Sequence, residues 1–153
     1  MKSILTVVTP AVSVDLTILA NVKAELGITV STEDANLETW IDQASALITS
    51  SCNRVFGKET VTETFRNRST WYEPKKIILD RVPVTAFTSV VENGNVLVEG
   101  TDFECDKESG IMTRLCGDYE ARWCFRTLVV TYAGGYELLG TLPIDIERAT
   151  ITM

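Results

Sequence analysis

Histidine is absent from all 153 residues. Its absence removes the commonest general base, the commonest metal ligand and the side chain that titrates nearest neutral pH. Basic residues are also scarce: 14 Lys and Arg stand against 21 Asp and Glu, a net charge of −7. They are scattered along the chain, which argues against a phosphate-gripping stripe. An acidic wall repels a DNA backbone and lets it pass without sticking. No apolar run approaches the ~20 residues of a membrane span. The opening stretch to Val8 is too short for a secretory signal and is broken by Pro10. The four cysteines, Cys52, Cys105, Cys116 and Cys124, contain no C-x-x-C pair, and without His a zinc site would need every thiolate. Free thiols in a reducing compartment are the expectation, with Cys52 buried on a helix face; a Cys116–Cys124 bridge is the alternative. There is no Gly-rich phosphate loop, G-x-S-x-G or metal-binding helix motif, so no catalytic residue, cofactor site or metal site is assigned.

What the chain does contain is a long helical pattern. Leu37, Trp40, Ile41, Ala44, Leu47, Ile48, Cys52, Val55 and Phe56 recur at steps of mostly three or four, as one stripe of a helix requires. Ser31 and Asp34 read as a capping box, and Gly57 as the left-handed stop. A helix from Glu33 to Phe56 would be roughly 36 Å long, and the chain is expected to pack around it. Before it, Ile18, Leu19, Val22 and Leu26 form a shorter helix, capped by Asp15 or Thr17 and closed by Gly27. The short link between the two predicts an αα-hairpin. Residues 1–14 read as an extended arm or an edge strand.

After Gly57 the period falls to two. Thr60 to Arg66 alternates, with Val61, Glu63 and Phe65 on one face and three threonines on the other. Lys76 to Asp80 is a second strand, and Pro83 marks a bend. Asn93-Gly94 and Lys107 to Gly110 predict two hairpins. Residues 117–121 read as a loop, and Leu128 to Tyr132 as the last strand, stopped by Gly134-Gly135. Leu142-Pro143 restarts a helix, since Pro costs nothing in the first turn. Segregated runs of helix and strand indicate an α+β fold: a small bundle of two N-terminal helices plus a C-terminal helix, carrying an inserted antiparallel sheet. This gives one domain over 1–153, with an arm at 1–14, a helical core at 15–57 and 142–153, and a β insertion at 58–135.

The best candidate contact surface is the loop carrying Arg66, Arg68, Trp71 and Tyr72, joined by Arg122 and Trp123, because Arg, Trp and Tyr are enriched at interface hot spots. The competing reading places these aromatics over the sheet's own core. Asp102, Asp106 and Glu108 around the second hairpin are the candidate for a weak cation site, against the reading of a solvated turn.

The order of several motifs resembles phage head–tail connector (adaptor) proteins. They include Asp15-Leu16-Thr17, Val22 to Ile28, Glu33 to Leu37, Ile41 to Ile48, Arg81-Val82-Pro83-Val84, Gly100 to Glu104, Ser109 to Met112, Val129 to Tyr136 and Leu142 to Ile146. The resemblance spans about residues 15–150. It implies a non-enzymatic virion protein of the neck between capsid and tail, assembled in the host cytoplasm. It further implies a homo-oligomeric ring, usually of twelve, beneath the portal. Its partners would be the portal, a stopper or tail-completion protein, and DNA passing through without sequence-specific binding. No membrane and no cofactor is implied. Another neck or tail-completion subunit is the nearest alternative.

Overall fold

In the computed structural model the described residues are 3–67, 73–138 and 142–152. They form an α+β fold of nine strands and three helices, divided into two compact units. One unit holds residues 1–10 and 59–135; the other holds 11–58 and 136–153.

The first unit is all β. Strands β1 (Ser3–Thr9), β2 (Glu59–Arg66), β4 (Val84–Glu92), β5 (Asn95–Val96) and β9 (Thr127–Gly134) make an antiparallel sheet in the order β1-β2-β9-β4-β5. Strands β3 (Lys76–Ile78), β6 (Phe103–Asp106) and β7 (Ile111–Cys116) make a second, with β8 (Tyr119–Ala121) also paired to β7. The alternation read from the sequence sets the inward face of β2: Val61, Glu63 and Phe65 are buried and the threonines between them are not. Leu128, Val130 and Tyr132 do the same on β9. With Ile77, Phe103, Met112, Trp123 and Phe125 they form the larger of two cores. The N-terminal segment takes the edge-strand alternative: β1 lies along β2, with a register shift between Val7 and Thr9. Residues 117–121, expected as a loop, supply β8, because Gly117 at φ +61° allows a tight reversal straight back onto β7.

The first predicted hairpin is present. Asn93 and Gly94 take φ of +51° and +90°, as a two-residue turn between twisted strands needs. The Asn93 side chain also accepts the N–H groups of Arg126 and Thr127, at 2.8 and 3.2 Å, and donates to the Cys124 carbonyl. Val82-Pro83 is a cis peptide at the predicted bend. Gly134 is required by close approach, since a Cβ there would overlap the Arg81 carbonyl.

The second unit contains α1 (Leu19–Leu26), α2 (Asp34–Cys52) and α3 (Ile144–Thr152). Val22, Leu37 and Ile41 form its small core, with Leu19, Ile28 and Ile151 packed against them. The C-terminal helix thus meets both leading helices. Gly27 closes α1 in the left-handed region, as predicted. Three details differ from expectation. Helix α2 stops at Cys52, because Asn53 at φ +47° provides the left-handed cap. Gly57 instead lies against Ala11, where a Cβ would come within 2.7 Å of that residue's Cβ. No capping box forms: Glu33 is the N-cap, and Asp34 pairs with Lys23 at 2.6 Å. At the start of α1 the cap is Ile18, and Thr17 donates its hydroxyl to Glu147 at 3.2 Å.

The stripe on α2 is wider than the face it buries. Leu37, Ile41 and Ser45 are buried, while Trp40 and Leu47 are 60% and 52% exposed. Cys52, expected inside, is exposed; all four cysteines are free thiols. The larger core belongs to the sheets and not to the long helix, because period-two burial from both sheets gathers more large side chains than three short helical faces can.

Candidate functional site

The residues proposed for contact divide three ways. Arg66 ends β2 and is exposed; Arg122 is exposed and donates through Nη1 to the Glu73 carbonyl at 3.1 Å. Trp123 is fully buried among core side chains, its indole N–H directed at the Met112 carbonyl at 3.4 Å. Its ring faces Phe125 edge-on, so it supports the strand end from beneath and has no surface to offer a partner. Arg68, Trp71 and Tyr72 lie outside the described residues.

The candidate cation site does not form. Asp102 accepts the Val98 N–H at 2.9 Å and lies 3.7 Å from Arg114. Asp106 turns back on its own hairpin, accepting from the Glu108 N–H and the Ser109 hydroxyl. Those donors hold its carboxyl below the usual range, the Ser109 hydroxyl first. The Asp102 and Asp106 carboxylates are committed locally, and among the described residues no three metal-ligating side chains converge.

Two features were not singled out from the sequence. The first is a groove of about 420 Å³ in the helical unit, lined by Val22, Leu26, Trp40, Leu47 and Ile151 among others. Its signal was the surplus of apolar residues on α2 beyond one narrow line. The second is a buried polar knot in the β unit. Glu63 is 0% exposed. Its Oε1 accepts the Asp80 N–H at 2.7 Å and the Tyr132 hydroxyl. The same phenol oxygen accepts the Arg81 N–H at 2.9 Å. Burial, then the bond to Glu63, pushes the Tyr132 phenol far above its ordinary range, so it stays a donor. Arg81 pairs with Glu59 at 2.9 Å and with Asp80. These contacts pin the bend at 79–83 to the sheet. The carboxylate between two apolar residues on one strand face was the sequence signal. Glu63 Oε1, the Tyr132 hydroxyl and the two backbone N–H groups are spent on one another, which is structural work, while Glu63 Oε2 is buried without a hydrogen-bond partner among the described residues.

The described residues thus make an α+β protein with exposed charge at one strand end and exposed aromatic and aliphatic surface on a helix. A family model described as "Head completion protein" matches residues 15–153, and the chain belongs to that family. Among solved structures it is similar to a chain in the neck of an empty GTA particle computed with C6 symmetry, at 14% identity and a TM-score of 0.61. That match covers 97% of this chain and 82% of the other. It is equally similar to a chain in the neck of a native GTA particle computed with C12 symmetry, at 15% identity and a TM-score of 0.61, covering 97% of this chain and 79% of that one. A chain from the virion of a native gene transfer agent particle matches at 14% identity with the same TM-score. At such identities the likeness establishes a shared fold. No curated protein matches the chain.

Proposed function

We propose that this chain is a non-enzymatic structural subunit of the neck of a tailed phage or gene transfer particle. In that reading it forms a ring, of twelve copies, directly beneath the portal. The ring extends the channel through which DNA leaves and offers its other side to a stopper or tail-completion protein. DNA passes without sequence-specific binding. The observation that carries the reading is the coincidence of two matches over the same residues: the head completion family model and the fold of chains in symmetric GTA necks. The acidic balance of the chain suits a conduit wall. The contact face in this reading includes Arg66 and Arg122, together with Arg68, Trp71 and Tyr72, which lie outside the described residues.

Co-purification with the portal protein tests the adaptor position. Direct, stoichiometric binding of this chain to the portal is the expected result. Binding only to a lower neck subunit would overturn that position and assign the chain a stopper-like place in the same channel.

A further inference from the structure

Cations that are scattered in the sequence meet at one end of the β unit. Arg66 is in register with Thr127 at the start of β9, and the Asn67 N–H donates to the Arg126 carbonyl at 3.0 Å. The segment 122–126 then runs beside residues 73–75, where the Trp123 N–H donates to the Pro74 carbonyl at 2.9 Å. Arg66, Lys75, Arg122 and Arg126 are all exposed there. None of the four has an ion-pair partner among the described residues, and the same holds for Lys76 and Arg148, whereas Lys23, Lys58, Arg81, Lys107 and Arg114 are paired. Glu73, Asp118 and Glu120 are the exposed carboxylates of the flanking segments. A cluster of unpaired like charges repels itself and is relieved by an anionic surface.

The chain carries such a surface in its other unit. Residues 11–58 and 136–153 hold nine Asp and Glu against four Lys and Arg, a net −5. Glu38 and Asp42 stand exposed one turn apart on α2. Asp15 lies against Asp42, and burial and then this neighbour raise its carboxyl above the ordinary value. Duplex DNA is the competing anion, but bringing a chain of −7 onto a polyphosphate works against its whole charge.

We propose that the basic end of one copy, at Arg66, Lys75, Arg122 and Arg126, docks on the acidic helical unit of the next copy. The proposal rests on the ring reading above and names the contact that builds it. The two patches are different surfaces, so the contact is head-to-tail. Each docking leaves one free patch at either end, so copies add one after another, and in the ring reading above the series closes on itself.

The test is sedimentation of the full chain at low and high salt. The wild type is expected to self-associate at low salt and to weaken as salt rises. Arg66→Glu with Arg126→Glu should weaken association about tenfold or more, with an unchanged circular dichroism spectrum. Glu38→Arg with Asp42→Arg should weaken it similarly, and all four changes in one chain should restore it. Failure of that rescue overturns the contact, as does a charge-reversed chain that assembles like wild type. A wild type that stays monomeric also overturns it, while leaving a portal-templated ring standing. Binding of a 30-base-pair duplex that Arg66→Glu/Arg126→Glu abolishes, with assembly intact, would assign the basic end to phosphate instead.

Discussion

Glu63 on β2 and Tyr132 on β9 together hold the bend at 79–83 against the sheet. A carboxylate with no exposed surface is costly unless donors meet it, and here a backbone N–H and a phenol do. Glu63→Ala would strand both donors in the core, so a loss of about 2–5 kcal/mol in denaturant unfolding is expected. Tyr132→Phe should cost less, and the double variant should be non-additive by roughly 1–3 kcal/mol. Strict additivity would show that the knot is not one unit. Asp15 gives the opposite kind of prediction. Its carboxyl is raised by burial first and by Asp42 second, so the folded chain holds its proton more tightly than the unfolded chain does. The contribution of Asp15 to stability is therefore best at low pH and turns unfavourable as pH rises through and above the ordinary carboxylate range. Asp15→Asn should raise Tm at neutral pH, the gain should fade below about pH 4, and Asp42→Asn should reduce it. A gain that persists unchanged at low pH would refute the assignment.

Among the elements, α2 separates packing from surface. Leu37 is 2% exposed and Trp40 is 60% exposed, although both belong to one apolar stripe. Leu37→Ala should cost about 2–5 kcal/mol, whereas Trp40→Ala should stay within roughly 1 kcal/mol. Thermal unfolding of the two variants checks this; equal losses would mean that Trp40 is core. The same helix shows what was legible in the sequence. Its existence, the left-handed stop of α1 at Gly27, the Asn93-Gly94 turn and the inward face of β2 all follow from local periodicity and turn chemistry, and all are present. Its end at Asn53 was not, because Gly57 is the stronger left-handed signal locally and only tertiary contact with Ala11 reveals its other use. The division of the strands into two sheets was hidden too, since pairing is a long-range choice that alternation does not encode. The candidate surface was half legible. Composition picked out Arg66 and Arg122, but Trp123 reads as a hot-spot aromatic until its burial is seen, and Lys75 and Arg126 join the cluster only through strand register.

At the scale of the whole molecule, the chain is acidic overall yet divided in charge, with −5 of its −7 in the helical unit. The chain belongs to the head completion protein family. We propose above all that this chain is a ring-forming part of the particle neck. Cryo-electron microscopy of the neck of an assembled particle measures that directly. A closed ring of copies of this chain, twelve in number, in contact with the portal and surrounding the DNA channel, is the expected result. A neck resolved without this chain, or with a single copy lying outside the channel wall, would contradict it.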